Sequence, residues 1–145
     1  MLIGEVNLPN ETQSNEYHFL NLNDFILQEK VGFGSFGKVF KVKEKKTKKI
    51  FAAKISIDEL TESSNELKNN ISREINIISK LHHPSILEFI GYSPINFKKK
   101  MKPVIITEYA SNNTLEKLIE IERSSQATTT ILNPTHKLII IYGIA

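Results

Sequence analysis

No cysteine and no tryptophan occur in the 145 residues, and aspartate occurs only twice, at Asp24 and Asp58. The missing cysteine excludes a disulfide framework and any thiolate-bound metal or cluster. The four histidines, His18, His82, His83 and His136, are not spaced as a ligand set, so no metal site is expected. Long hydrophobic runs are missing too. The longest apolar-rich stretch, "KLIIIYGIA" at 137–145, is far shorter than the roughly 20 residues a bilayer-crossing helix needs. The opening "MLIGEVNLPNETQ" has neither the basic flank nor the continuous apolar core of a secretory leader. Neither sign of charge dominates: 19 Lys+Arg against 16 Asp+Glu leave a net charge of +3. Lysines cluster in "KVKEKKTKK" (Lys41–Lys49) and "KKKMK" (Lys98–Lys102). Each cluster lies between two β-like runs, where charge solvates a turn and deters edge pairing. A cytoplasmic protein is expected, with no nucleic-acid and no membrane partner.

What is present is a chain of one-domain size, with the 40% hydrophobic and 24% charged residues of a globular protein that has a true core. Residues 1–22, rich in Asn, Glu, Ser and Thr, read as a loosely ordered lead-in. Alternation and β-branched content predict strands over "DFILQEKVG", "FGKVFKVKEK" and "KIFAAKIS". A helix is expected from about Glu66 to Leu81, ending ahead of Pro84, which disfavours helical geometry in the residue before it. Two further strands follow, "SILEFIGYS" and "PVIITEYA", then a short helix over "NTLEKLIEIERS" and a loop over "SSQATTTILN". Asn133 as N-cap and Pro134 at the first helical position open a last helix to Ala145. The order β-β-β-α-β-β and then helices gives an α+β fold, an antiparallel sheet with one helix packed on it.

Three of the six glycines, Gly32, Gly34 and Gly37, fall in one strand-like stretch, "VGFGSFGKV". A dinucleotide-binding turn would need a helix to open directly after the third glycine. Here "KVFKVK" follows, alternating and β-branched, which is a strand. A hairpin whose amides cover a triphosphate explains the spacing, because glycine lets backbone approach phosphate oxygens. An ordinary glycine-rich turn is the alternative. In the hairpin reading Phe36 at the tip shields the phosphates and Val39 points onto a planar base. In "IFAAKI" alternation puts Ala52, Lys54 and Ile50 on one face and Ala53 on the other. That face, expected to be buried, makes a slot for a flat ring with a cation at its phosphate end. On the helix, Leu67, Ile71, Glu74, Ile78 and Leu81 form one stripe. A carboxylate facing a core needs a cation, and Lys54 is its natural partner unless Glu74 reaches water from the stripe's edge.

Together these residues resemble the eukaryotic protein kinase family, over about residues 24–145 and in that family's order. "VGFGSFGKV" is similar to its glycine-rich loop and "FAAK" to its valine-alanine-isoleucine-lysine strand. Glu74 in "SREINIISKL" matches the glutamate of its regulatory helix. "HHPSILEFIGY" resembles the turn and strand after that helix, "VIITEYA" the fifth strand and hinge, and "NNTLEKLI" and "HKLIIIYGIA" the first helices of the second lobe. The flavour is that of tyrosine-kinase-like serine/threonine kinases. The resemblance implies ATP bound by Val31, Gly32, Phe33, Gly34, Ser35, Phe36, Gly37, Lys38, Val39, Ala52, Lys54, Thr107, Glu108 and Ala110. Lys54 would hold the α and β phosphates, Glu74 would pair with it, Thr107 would be the gatekeeper, and the backbones of Glu108 and Ala110 would meet the adenine edge. It further implies a partial kinase domain over 23–145: a five-stranded N-lobe with one regulatory helix at about 23–110, and the start of an incomplete C-lobe at 111–145.

The scarce aspartates then matter. Family members need one as catalytic base and another for Mg2+, both after the long helix of the second lobe. Asp24 precedes the first strand and Asp58 follows the third, so the isolated chain is expected to be inactive, with Mg2+ held only in a complete domain. Leu138, Ile139, Ile141 and Tyr142 are expected to expose an apolar helix face open to a protein partner. The protein substrate is not legible. A stand-alone, non-catalytic nucleotide- or partner-binding lobe is the other reading.

Overall fold

The computed structural model describes residues 18–34, 37–111 and 114–124. Its elements run β1 (Phe25–Gly34), β2 (Gly37–Glu44), β3 (Ile50–Ser56), α1 (Asn65–Ile78), β4 (Phe89–Ser93), β5 (Val104–Glu108) and α2 (Leu115–Ser124). The strands form one antiparallel sheet in the order β1-β2-β3-β5-β4. This is the α+β architecture expected from the sequence. Two register shifts in β1, between Leu27 and Lys30 and between Lys30 and Gly32, insert extra residues and bend the strand ahead of the glycines. The hairpin tip at Ser35-Phe36, most of the lead-in, the loop after Ser124 and the helix expected over Pro134–Ala145 lie outside the described residues.

Cross-strand partners share a face, so the register sorts the side chains into two layers. Phe40, Ala53 and Ile106 stand in one row, with Val42, Phe51, Ile55 and Val104 on the same side. Val42, Ala53, Val104 and Ile106 are completely buried there, closed over by Leu22 and Phe25. Val39, Lys54 and Ile105 form a row on the other face, beside the row of Lys41, Ala52 and Thr107. The face of β3 expected to be buried is thus the half-open one. Ala52 and Lys54 are half-buried, whereas Ala53 closes the core. Alternation along a strand separates two faces but does not say which of them another layer will cover.

Two boundaries and one buried position also differ from expectation. The helix α1 stops at Ile78 with Ser79 as its C-cap, so Leu81 lies beyond it and is exposed. Ile75, outside the expected stripe, is the buried residue of α1 at 3% exposure. β4 begins at Phe89, four residues later than the run "SILEFIGYS" suggests.

The last residues of the lead-in are ordered. The Leu20 N–H donates to the Tyr92 carbonyl, and the Tyr92 N–H to the His18 carbonyl, each at 2.8 Å. The chain then crosses the closed face of the sheet through a 3-10 turn, Leu22–Asp24, with Leu22 buried. Gly91 permits this crossing: a Cβ there would lie 2.5 Å from Leu20 Cγ and 2.6 Å from the His18 oxygen. Phe19 leans on Tyr92 with ring centroids 5.9 Å apart. An apolar cavity of about 540 Å3 opens between this pair, Ile71 and Ile75 of α1, and Met101.

Gly91→Ala should therefore displace residues 18–20 and lower stability by about 1–3 kcal/mol, read by urea unfolding. Burial raises the Tyr92 phenol above its ordinary value of 10.0. The folded state then holds this proton longer than the unfolded chain does. Its contribution is complete below the ordinary value and is lost as pH climbs through it to the raised one. Tyr92→Phe should remove that part of the alkaline loss of thermal stability.

Candidate functional site

The site is organised around an ion pair between a strand and a helix. On β3 the alternation carries Lys54 to the open face, level with Val39 of β2 and Ile105 of β5. On α1 the same stripe that seats Ile71 and Ile78 brings Glu74 over β3. Lys54 Nζ donates to Glu74 Oε1 at 2.5 Å, a short charge-assisted bond. The two side chains are 35% and 40% exposed. The pair expected from the sequence is present, but not for the expected reason. Glu74 is not driven into the core; it stands at the stripe's edge and is paired nonetheless. Solvent screening keeps such a pair worth only about 0–1 kcal/mol to the fold. What it does is hold an ammonium group in place on an open face.

The three glycines do not share one role. Gly37 pairs with Ser56, and a Cβ on it would meet the Ile55 carbonyl oxygen at 2.6 Å. It is required by the close approach of β2 to β3. Gly34 has nothing within 4 Å of its would-be Cβ, and Gly32 meets only Val39 at an ordinary 3.5 Å. No described glycine has positive φ, so unusual torsions are not what these three glycines supply. Gly34 leaves open space at the end of β1, where a ligand's oxygens could reach backbone. Val31 and Phe33 are exposed beside it, and Lys38 is exposed on β2.

Past Ala52, β5 closes the other end of the open face with Thr107, which is half-buried. The Thr107 hydroxyl donates to the Glu108 carbonyl at 3.1 Å. The Glu108 N–H donates to the Glu88 carbonyl at 2.9 Å, and the Glu108 carboxylate accepts from the Glu88 N–H at 3.1 Å. Of Glu108's backbone groups it is therefore the carbonyl, with a second lone pair, that can meet a ligand edge. Ala110 follows, exposed.

Two residues at this site were not foreseen. Lys41 bonds Glu29 at 3.2 Å and lies 5.6 Å from the Tyr109 ring centroid, linking β1, β2 and the segment after β5. Glu29 is held below the ordinary carboxylate range by a backbone hydrogen bond first and by Lys41 second. Asp58, set aside from sequence, borders a cavity of about 90 Å3 shared with Lys54, Glu74, Ser56 and Asn70. Only its place just past β3 could have signalled this. Among the described residues no three His, Asp or Glu side chains are grouped as a metal-holding set.

A family profile described as the protein kinase domain matches residues 25–140. The chain is 32% identical over 127 residues to an Aurora kinase of Yarrowia lipolytica, covering 85% of this chain and 33% of that protein. An Aurora kinase of Saccharomyces cerevisiae is 32% identical over 106 residues, 73% of this chain and 28% of its own length. LIM domain kinase 1 of Drosophila melanogaster is 34% identical over 96 residues, 66% of this chain and 7% of its own. The chain thus spans a third or less of the length of these relatives.

Gly37→Ala should cost about 1–3 kcal/mol in urea unfolding, because the backbone of β3 must shift. Gly34→Ala should change stability by less than about 0.5 kcal/mol, since its Cβ meets open space. Equal losses at the two positions would contradict this division.

Proposed function

Because this chain belongs to the protein kinase family, we propose that it is the ATP-binding portion of a kinase catalytic domain. The observation that carries this is the Lys54–Glu74 bond at 2.5 Å on the open face of the sheet, below a hairpin whose Gly34 leaves its backbone approachable. Lys54 would meet the α and β phosphates, with Glu74 holding the ammonium group in line. The hairpin from Val31 to Val39, with Gly32, Gly34 and Gly37, would cover the phosphates. Val31, Val39 and Ala52 would bracket the adenine, with Thr107 behind it. The carbonyl of Glu108 and the backbone of Ala110 would meet its polar edge. Bound ATP supplies the transferable phosphoryl group; the chain's own residues bind it, orient it and shield it from water.

Transfer itself is not proposed for this chain alone. The residues present do not fit the Mg2+ that the family uses. Asp24 lies by the 3-10 turn that crosses the closed face, and Asp58 stands beside the Lys54–Glu74 pair. Phosphoryl transfer to a protein hydroxyl is proposed for a complete domain, with the substrate chosen by residues outside this sequence. The other reading, a non-catalytic lobe that binds nucleotide or a protein partner, predicts the same binding and no activity in any longer form.

Calorimetric titration with ATP tests the shared core of both readings. Lys54→Met should weaken binding by tenfold or more, because one charge-assisted phosphate contact is worth roughly 1.5–3 kcal/mol. Glu74→Gln should weaken it less, since it acts through the lysine. Unchanged affinity in Lys54→Met, with the unfolding midpoint retained, would remove Lys54 from the site. A greater loss at Glu74 than at Lys54 would overturn its orienting role.

A further inference from the structure

Two lysine-rich turns that are 50 residues apart in sequence both reach the segment that crosses the closed face of the sheet. The turn between β2 and β3 exposes Lys45, Lys46, Lys48 and Lys49, and the turn between β4 and β5 exposes Lys98, Lys99 and Lys100. The 3-10 turn Leu22–Asp24 joins them. The Asp24 carbonyl accepts from the Lys45 N–H at 2.8 Å, and Asn23 Oδ1 accepts from Lys99 Nζ at 3.0 Å. The carboxylates beside them, Asp24, Glu44 and Glu59, offset part of this charge. Glu44 accepts from the Thr47 hydroxyl, and Glu59 lies 3.6 Å from Lys100. Among the described residues, Lys45, Lys46, Lys48, Lys49, Lys98 and Lys99 make no ion pair.

Both turns are built rather than loose. Asn96, buried at 8% exposure, accepts through Oδ1 from the Lys98 and Lys100 N–H groups at 2.9 and 3.1 Å. Glu44 and the Lys48-Lys49 pair exchange backbone bonds of 2.9 and 3.0 Å, and Thr47 Oγ1 caps the Lys49 N–H. Lys48 (φ 64°) and Lys99 (φ 59°) both sit in the left-handed region, where glycine or asparagine fits more easily. At both tips the chain keeps lysine in a conformation that does not favour it.

We infer that this surface docks the protein on an anionic lipid bilayer. Seven exposed lysines on pinned turns form a charge array of the size that anionic leaflets attract. Ile95, 39% exposed in the second turn, supplies an apolar side chain able to enter a headgroup layer. Single-stranded nucleic acid fits this surface less well. Neither turn contains arginine, and the ring of the second turn, Phe97, packs against the core, so no base could stack there. Docking by this surface leaves the open face of the sheet turned to solvent, so it stands or falls independently of nucleotide binding.

The test is co-sedimentation of the full chain with phosphatidylcholine vesicles, with and without about 30% phosphatidylserine, near physiological ionic strength. Binding is expected only to the anionic vesicles, and it should fall steeply with added salt. The double variants K46E/K48E and K98E/K99E should each lower the partition coefficient by roughly tenfold or more, with unchanged circular dichroism. R73E/K80E makes the same change in net charge at exposed positions on and just after α1, and should leave binding intact. Equal loss in R73E/K80E, no preference for anionic vesicles, or no salt dependence in the unaltered chain would overturn the inference. Tighter binding to single-stranded RNA than to vesicles at matched salt would overturn it in favour of a nucleic-acid surface.

Discussion

The bond between Lys54 and Glu74 is the constraint on which the rest of the site depends. It spans 20 residues of sequence and joins β3 to α1. Its stabilising effect is small, because both side chains are more than a third exposed. Its value is geometric. An unpaired lysine on an open strand face samples many rotamers, whereas one held by a short charged hydrogen bond keeps its ammonium group in one place. Lys54 lies level with Val39 and Ile105, with Ala52 and Thr107 farther along the same face.

The larger buried cluster lies on the other side of the sheet. Val42, Ala53, Val104 and Ile106 are sealed by Leu22, from the 3-10 turn ahead of the sheet, and by Phe25, the first residue of β1. The closed face makes the core and the open face is left for a ligand. Gly91 makes that division possible by letting residues 18–20 pass close to β4. Gly37 serves the sheet in the same way, by allowing β2 to approach β3, while Gly34 leaves backbone accessible at the end of β1. One glycine motif therefore answers two demands, strand packing and ligand access.

Much of this was legible in the sequence. The five strands, α1 and the placing of Lys54 opposite Glu74 follow from periodicities of two and of 3.6 residues, which are local properties of each segment. What was misread depends on neighbours distant in sequence. Ile75 is buried although the spacing favoured Leu67, Ile71, Ile78 and Leu81; it lines the cavity that Phe19 and Tyr92 border, and the helix ends at Ile78, short of Leu81. Residues 18–22 look like a polar lead-in by composition, yet two backbone bonds to Tyr92 hold them. Asp58 looked idle because nothing in its own stretch reveals that α1 returns over it.

By itself the sequence determined which residues share a strand face or a helix stripe, where glycine interrupts a β pattern, and which charges recur at fixed spacing. These are set by backbone geometry that each segment carries with it. Only the tertiary structure decided which face of β3 would close. It alone showed that Gly37 answers to the Ile55 carbonyl rather than to a ligand, and that Lys45 and Lys99 reach one turn at Asn23 and Asp24. Those outcomes depend on pairing register and on layers meeting across the chain. Local periodicity does not encode them, because they arise from contacts between segments far apart in sequence.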